Sequence, residues 1–496
     1  MRKTVMVLPF MLLLLLPTFP LTSGETEKVC VVIVFNGLPD AALIHAHGGE
    51  VKYQYNIIPG ISAYLPVKAV QALEKNPAID YIEYDVTFSL NKKPADPGGN
   101  GKGKGKQKAT VVLSTDGPGT TDPTPGTYMV KIGRVFNALA IPDTGATFLH
   151  WLVTPEGYSP YYVYDPNLSA ILDVNTAIVA FFELDDVPPP PPPPPSGQTL
   201  PWGVDRIDAE KTWNTATGMP TWVAILDTGI DRDHPDLIGN IIGGRNFVPD
   251  FWLMPPDPTK WDDDHGHGTW CAGIIAAMDN NFGVVGVAPE AYLFGVKVLD
   301  SAGSGQLTDI IAGIDWCVQN GMDVISMSFA GTSDMMSLEQ AINNAYAAGL
   351  VIVAAAGNGG DGDPNTDDVA YPAKYYGAIA VAATAPDDSS PTFSAEGPDV
   401  ELAAPGVAIN STSLDGGYEV HDGTSGACPH VTGTAALLLS MSIPPELDSN
   451  LSGDWEPIEV RLHLRNTADD LGASGFDYHF GYGLVDAEEA VMGSES

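Results

Sequence analysis

The strongest constraint on the fold is a series of short, unbroken apolar runs that recur after Gln198. Strands with one face in water alternate apolar and polar residues, whereas strands of a parallel sheet covered on both faces are apolar throughout. Segments with helical spacing separate the runs, so we predict an α/β domain over 198–496, with a parallel sheet flanked by helices. The runs are VAILD (223–227), YLFGVKVL (292–299), DVISMS (323–328), LVIVAAAG (350–357) and AIAVAAT (378–384).

Further segments precede this domain. Residues 28–90 carry strand and helix signals in the order βαββαβ, which predicts a ferredoxin-like α+β module. A Gly/Lys-rich linker follows over 91–108, and a polyproline linker occupies 188–197. Between the linkers, 109–187 contains β-rich runs bounded by turn residues and no catalytic motif, so we predict a small all-β insert. Those runs are TYMVKIGRVF, ATFLHWLV, YYVYD and TAIVAFFEL.

The first 24 residues have the pattern of a secretory signal peptide. Arg2 and Lys3 precede an apolar run from Val5 to Leu16, and small residues follow up to Gly24. The alternative is a membrane anchor, which the run disfavours because a spanning helix needs about 20 apolar residues. We therefore expect a secreted, soluble protein. The 4 cysteines are widely spaced without a C-x-x-C pair, so we expect no disulfide framework.

The charge distribution limits the partners. The chain carries 62 acidic and 23 basic residues, a formal net charge of −39. From Gln198 onward there are 44 acidic and 9 basic residues, so most of the excess belongs to the α/β domain. Nucleic acids and anionic membranes need clustered Lys and Arg, and we expect neither as a partner. Solvated surface carboxylates and cation binding both remain open.

Four polar residues in the α/β domain point to one chemistry. Asp227 closes a buried strand, Asn358 follows another, and His267 and Ser425 begin helices of small residues. Each alone could serve as a cap or turn residue. Together they supply a nucleophile, its base, a carboxylate for the base and a donor for an oxyanion. The chain order Asp, His, Ser is one of three known orders of this triad.

The stretch 198–490 resembles the subtilisin-like serine proteases in long motifs that occur in the same order. The resemblance implies that Asp227 is the triad carboxylate, His267 the general base and acid, and Ser425 the nucleophile. It also implies that Asn358 is the oxyanion donor; His265 is interpreted as a neighbour of the base. The matching motifs include VAILDTGIDRDHPDL, HGHGTWCAGIIAA, NNFGVVGVAPEA, VISMSFAG, AAAGN and GTSGACPHVTG.

The same resemblance implies polypeptide substrates bound as an added strand between two edge segments. The aligned motifs contain no acidic pocket floor, so we expect apolar P1 residues rather than basic ones. The implied substrate-binding residues are Gly303, Ser304, Gly305, Ser328, Phe329, Ala330 and Gly357.

The chain departs from the family pattern around the nucleophile. Gly426 stands where Met is usual, and Cys428 stands where Ser or Thr is common. A second hypothesis is therefore a non-catalytic binding protein with a decayed site. For Cys271, one turn after His267, we expect a free buried thiol, with a thiol-sensitive activity or a Cys271–Cys428 bridge as alternatives.

Structural calcium is also implied by the resemblance. All-oxygen ligation with few charges suits Ca²⁺. Two further acidic segments, 361–368 (DGDPNTDD) and 262–264 (DDD), are either cation loops or solvated loops; the first lacks the sixth-position glycine of a calcium loop. The implied ligands are Gln198, Asp236, Met278, Asn280, Phe282 and Val284.

The 28–90 module resembles the family's propeptide, an intramolecular chaperone and inhibitor. The resemblance implies an autoprocessed zymogen, cut at Leu90–Asn91 or near Ser196–Gly197. The role of 109–187 is not indicated by its residues. For the processed enzyme we expect a monomer.

Overall fold

The computed structural model describes residues 28–90, 197–249, 255–363 and 366–493, together with the strands between 108 and 184. The predicted signal peptide, residues 91–107 of the first linker and 188–196 of the second lie outside the described residues.

The N-terminal module (28–90) follows the predicted element order. Its four-stranded antiparallel sheet has the order β2-β3-β1-β4, and the helices cover one face through Ile44, Val70 and Leu73. A further strand, β5, leaves this sheet. The elements are β1 (Lys28–Phe35), α1 (Ala41–Ala46), β2 (Glu50–Gln54), β3 (Gly60–Pro66), α2 (Val67–Leu73), β4 (Ile79–Tyr84) and β5 (Thr87–Ser89).

The insert consists of two sheets with the orders β11-β10-β13-β6-β8 and β12-β9-β7. They enclose a small apolar core around Trp151, Phe136 and Ile178. The predicted run TYMVKIGRVF divides into two strands, β8 and β9. The strands are β6 (Lys108–Asp116), β7 (Gly119–Asp122), β8 (Gly126–Lys131), β9 (Arg134–Pro142), β10 (Ala146–Pro155), β11 (Tyr161–Val163), β12 (Asn167–Leu172) and β13 (Thr176–Leu184).

A seven-stranded parallel sheet with the order β15-β16-β14-β18-β19-β20-β21 is the frame of the C-terminal domain. A short pair and a hairpin lie outside it. The strands are β14 (Trp222–Asp227), β15 (Ile241–Asn246), β16 (Tyr292–Lys297), β17 (Ser304–Gln306), β18 (Val324–Met327), β19 (Val351–Ala355), β20 (Ile379–Thr384), β21 (Leu402–Pro405), β22 (Ile409–Ser413) and β23 (Gly417–His421).

Helices cover both faces of this sheet, which accounts for the unbroken apolar runs. Along β14, Val223 and Ile225 enter the core on one face, and Ala224 and Leu226 enter the core on the other. The α/β fold predicted from the sequence is thereby confirmed. The helices are α3 (Trp202–Arg206), α4 (His267–Ala276), α5 (Leu307–Gln319), α6 (Met336–Ala347), α7 (Thr424–Leu439), α8 (Pro457–Asn466) and α9 (Ala487–Met492).

The faces have different neighbours. Helices α4 and α7 pack on one face, and α5 and α6 pack on the other, where the N-terminal module joins the same core through Val32, Tyr55 and Phe88. Within the described ranges, the helices lack the combination of length and apolar character that crossing a bilayer requires.

Candidate active site

The predicted site residues meet where the central strands end. Asp227 is the last residue of β14, His267 is the first residue of α4, and Ser425 is the second residue of α7. Asn358 lies three residues beyond the end of β19. The carboxyl edge of a parallel sheet gathers such residues because all of its strands end there.

Asp227 and His267 form a close pair. The Nδ1 atom of His267 lies 2.9 Å from Oδ1 and 3.0 Å from Oδ2 of Asp227, which is fully buried. The Thr228 N–H donates to the same Oδ1 at 2.7 Å and fixes the carboxylate. Burial lowers the pKa of the imidazole, but the Asp227 carboxylate outweighs it and holds the pKa of His267 above its ordinary value.

Ser425 lies at the mouth of α7. Its hydroxyl donates to the backbone oxygen of Ser328 at 3.1 Å. A serine hydroxyl has one proton, so the hydroxyl must turn away from the Ser328 oxygen before that proton can pass to an imidazole. The position near a helix N-terminus favours negative charge on a bound oxygen atom.

Thr424 orients the amide of Asn358, a contact that the sequence motifs did not indicate. The Oδ1 atom of Asn358 accepts from the Thr424 N–H at 2.9 Å and from its hydroxyl at 3.0 Å. With Oδ1 held by these donors, the amide must turn its NH₂ group the other way. Asn358 Nδ2 lies near Gly423, where an added Cβ would be 3.3 Å from it. The one sequence signal for this contact was the presence of a threonine directly before the predicted nucleophile.

The departure at Gly426 is matched by the packing around it. A Cβ built on Gly426 would lie 2.9 Å from Trp270 Cη2 and 3.3 Å from Ile409 Cγ1. Trp270 is only 2% exposed, and its indole N–H donates to the Ile409 oxygen. The indole therefore fills the volume that a larger residue at position 426 would take.

The cysteines near the site are free thiols. Cys271 Sγ lies 3.8 Å from His267 Nδ1 and 3.7 Å from the Ser425 backbone oxygen. Cys428 is buried against Ser326, and burial raises the pKa of its thiol to about 11. Burial also raises the pKa of the Cys271 thiol, so both are protonated at neutral pH. The expected free thiol at Cys271 is present, and the alternative Cys271–Cys428 bridge is not formed.

The two predicted edge segments flank a cleft that holds the end of the N-terminal module. Strand β5 pairs antiparallel with β17, so that Phe88 stands opposite Gly305. On the other side, Ser89 exchanges backbone hydrogen bonds of 3.0 and 3.1 Å with Ala330. The Leu90 N–H donates to the Gly303 oxygen at 3.1 Å.

The side chains of these residues occupy defined pockets. Phe88 is 1% exposed and meets the Phe329 ring edge to face, with centroids 6.3 Å apart. Leu90 lies over Gly303, and His265 borders the same glycine. His265 therefore lines the cleft beside His267, as its interpretation as a neighbour of the base implies; their ring centroids are 6.4 Å apart.

Oxygen atoms converge at the predicted calcium ligands. The Gln198 side-chain amide contacts the backbone oxygens of Met278 at 2.7 Å and of Val284 at 3.1 Å. The Asp236 carboxylate accepts from Asn280 Nδ2 at 2.6 Å and from the Val284 N–H at 3.0 Å. These five residues are brought together, whereas Phe282 joins them through its N–H, which donates to Asn280 Oδ1 at 2.8 Å.

An α/β sheet whose carboxyl edge holds an Asp–His pair and a serine at a helix mouth defines a serine hydrolase. The sequence model of the Subtilase family matches residues 218–483, and the chain belongs to that family. It is therefore a serine endopeptidase, and the hypothesis of a non-catalytic binding protein is not retained.

The similarity to individual relatives lies in the C-terminal part. The chain is 42% identical to Subtilisin E of Bacillus subtilis (strain 168) over 296 residues, which cover 60% of this chain and 72% of that protein. It is 42% identical to Subtilisin Savinase of Lederbergia lenta over 295 residues, 59% of this chain and 99% of that protein. It is also 42% identical to Alkaline elastase YaB of Bacillus sp. (strain YaB) over 295 residues, 59% of this chain and 71% of that protein.

Proposed function

We propose that the enzyme hydrolyses peptide bonds through Asp227, His267 and Ser425, with Asn358 as the oxyanion donor. The observation that carries this proposal is the pairing of the His267 Nδ1 atom with the buried Asp227 carboxylate. That pairing leaves Nε2 as the free ring nitrogen and stabilises the imidazolium that forms during the reaction.

The catalytic steps follow from this geometry. As Ser425 Oγ bonds to the scissile carbonyl carbon, its proton passes to His267 Nε2. The carbonyl oxygen becomes an oxyanion, which accepts hydrogen bonds from Asn358 Nδ2 and the Ser425 N–H. Collapse of this tetrahedral intermediate breaks the C–N bond, and His267 gives the proton to the leaving amine. Water then attacks the acyl-enzyme, with His267 again as the base, and frees the acid and Ser425.

The N-terminal module would act as an intramolecular inhibitor and folding template. Asp85 accepts from the Thr308 N–H at 3.1 Å, in the first turn of α5. Glu83 accepts from the Met336 and Ser337 N–H groups at 2.8 and 3.0 Å, at the start of α6. The residues preceding these helices make no side-chain cap of their own. A cap is worth about 1 kcal/mol, so the module favours formation of both helices.

The register of β5 favours a scissile bond one residue beyond the Leu90–Asn91 bond implied by the family resemblance. Continued by two residues, the antiparallel pairing of Ser89 with Ala330 would bring position 91 opposite Ser328. Ser328 is the residue whose oxygen accepts the Ser425 hydroxyl. The carbonyl next to the nucleophile would then belong to Asn91, so we propose self-cleavage at Asn91–Lys92. Phe88 would be the P4 residue and Leu90 the P2 residue.

Calcium would stabilise the folded enzyme. Asp236 is fully buried, and its partners Asn280, Val284 and Tyr418 are neutral donors. Burial raises the pKa of this carboxyl, which indicates that its charge is poorly compensated by those donors. Rotation of the Gln198 amide would add its Oε1 to the Met278 and Val284 oxygens, in exchange for the hydrogen bond that Oε1 accepts from the Asn280 N–H at 3.1 Å. This oxygen set fits Ca²⁺. The ion would neutralise the Asp236 carboxylate and join Gln198, at the start of the C-terminal domain, to the 278–284 loop.

We also propose that the enzyme is exported. A signal peptide over 1–24 would direct the chain out of the cytoplasm. Outside the cell, calcium would be available to the enzyme and the module could be removed. Polypeptides would be the substrates, and the processed enzyme would be a monomer.

Self-cleavage tests the proposal directly. The full chain is expressed with calcium beside Ser425→Ala and, as a control at the C-terminal end of the same helix, Ser440→Ala. We expect cleavage in the parent and in Ser440→Ala, and an uncut Ser425→Ala chain. The mass of the new N-terminus distinguishes Asn91–Lys92 from Leu90–Asn91 and from Ser196–Gly197. A Ser425→Ala chain that is cut as fast as the parent would refute the role of Ser425.

A further inference from the structure

A second group of oxygen atoms lies close to the oxyanion residue. Carboxylate oxygens of Asp361, Asp368 and Glu396 all lie within 4.8 Å of one another. The Thr366 hydroxyl lies between two of them, 3.1 Å from Asp361 Oδ1 and 3.1 Å from Asp368 Oδ2. Three carboxylates at this spacing repel one another strongly unless a cation or a proton intervenes.

Glu396 supplies an independent indication of a ligand. It is 1% exposed, and its Oε1 atom has no hydrogen-bond partner in the part of the chain that the structure describes. Its Oε2 atom lies 2.7 Å from His479 Nδ1, which holds the carboxylate in place. A buried carboxylate oxygen without a donor costs free energy, and a bound cation would remove that cost.

We propose that Asp361, Asp368 and Glu396 bind a divalent cation of the calcium type, at a site separate from the Gln198–Asp236 ligands. The ligands are oxygens, and calcium accepts such carboxylate sets in flexible geometry. A cation bound among these groups would compensate their negative charges.

The site has a consequence for the cleft. The Asp368 N–H donates to the Glu396 backbone oxygen at 2.8 Å, so the ion would fasten two adjacent segments. One segment begins at Asn358 and ends at Tyr371, which exchanges backbone hydrogen bonds of 2.7 and 3.0 Å with Gly331. Gly331 borders the pocket of Phe88. The cation therefore supports the chain between the oxyanion donor and the P4 pocket.

Calcium stoichiometry tests this site. The full chain with Ser425→Ala, which prevents self-digestion, is stripped with EDTA and dialysed against radiolabelled calcium. Concentrations extend to about 10 mM, above the roughly 10⁻⁴–10⁻³ M dissociation constants of weak extracellular sites. We expect a chain that also carries Asp361→Asn and Asp368→Asn to bind one calcium fewer. Both side chains lie at the surface or partly so, and their substitution leaves the core intact.

Two controls separate this site from the other. Asp399→Asn removes a nearby carboxylate that is outside the cluster, and this chain should bind as many ions as the parent. Asp236→Asn should lose a different ion, so that the combined variant loses two. Equal stoichiometry in the parent and in the Asp361→Asn/Asp368→Asn chain overturns the proposal. Loss of an ion with Asp236→Asn in that same experiment would leave the Gln198–Asp236 site standing.

Discussion

The indole of Trp270 occupies the space above the α-carbon of Gly426, so that an added Cβ would lie 2.9 Å from Cη2. The two residues belong to α4 and α7, the helices that begin with His267 and contain Ser425. A small residue after the nucleophile is therefore matched by a large residue after the base.

This pairing predicts non-additive stability changes. Gly426→Met should destabilise the domain by about 1–3 kcal/mol, because the new side chain overlaps the indole. Trp270→Ala alone should cost about 3–5 kcal/mol through the cavity it leaves. In the double variant the methionine fills part of that cavity, so the combined cost should be less than the sum. Denaturant unfolding of Ser425→Ala chains measures this; additive costs would contradict the pairing.

The contact between Thr424 and Asn358 predicts a loss in kcat. Thr424→Val keeps the shape but removes the hydroxyl that holds the amide, and we expect kcat to fall about tenfold with little change in KM. Asn358→Ala should lower kcat by about 10²–10³. Because both changes affect the same oxyanion donor, adding Thr424→Val to an Asn358→Ala chain should lower kcat little further. Thr424→Ser, which retains the hydroxyl, should preserve kcat, and an equal loss in this variant would contradict the assignment.

The raised pKa of His267 predicts an alkaline shift of activity. Below that pKa the imidazole is protonated and cannot accept the Ser425 proton, so kcat/KM should fall as the pH falls through it. The midpoint of this acid limb should lie above the ordinary value of 6.5. Ser440→Ala, at the C-terminal end of α7, is the control and should leave the midpoint in place, whereas Cys271 contacts His267 Nδ1 and itself contributes to the raised pKa. A midpoint below 6.5 would show that burial lowers the pKa of His267 more than the Asp227 carboxylate raises it.

The Phe88 pocket predicts a preference for aromatic P4 residues. A Cβ on Gly331 would lie 2.5 Å from Phe88 Cδ1, so Gly331→Ala should shorten the pocket. With matched peptides, this variant should lose at least about tenfold in kcat/KM for phenylalanine at P4 and change little for alanine at P4. Equal losses for both peptides would indicate a general disturbance of the cleft.

Calcium removal should lower the thermal stability through the Gln198–Asp236 ligands. At a calcium concentration of about 100 times Kd, the ion adds about 2.7 kcal/mol, which corresponds to roughly 5–10 °C in Tm. Asp236→Asn should remove most of this calcium-dependent increment. Asp279→Asn changes the same charge on an exposed side chain of the same loop and should retain it. An unchanged Tm of the parent in excess EDTA would show that calcium does not stabilise the folded protein.

Much of the central fold could be predicted because both faces of its sheet are covered. An unbroken apolar run such as LVIVAAAG suits a strand buried on both faces; Asp227 is the last residue of one such run, and Asn358 follows another directly. The insert was predicted less well. TYMVKIGRVF reads as one strand, but it contributes to β8 and β9, which lie in different sheets. Strand pairing of that kind depends on contacts distant in sequence, which local patterns do not encode.

The site was predictable in its residue types but not in its supporting contacts. Asp227, His267 and Ser425 stand in motifs, whereas the relation of Trp270 to Gly426 exists only after two helices have packed. The position of Leu90 depended on the register of β5, a three-residue strand with no pattern of its own. The carboxylates of 361–368 were visible in the sequence, but Glu396, which joins them, lies 28 positions beyond Asp368.

Removal of residues 28–90, as proposed above, would take away the caps that Glu83 and Asp85 place on α6 and α5. Such a processed enzyme would refold less readily than the full chain, because the first turns of both helices would have no side-chain cap. Its working life would then depend on how slowly it unfolds, since an unfolded molecule would no longer carry the module that favours these helices.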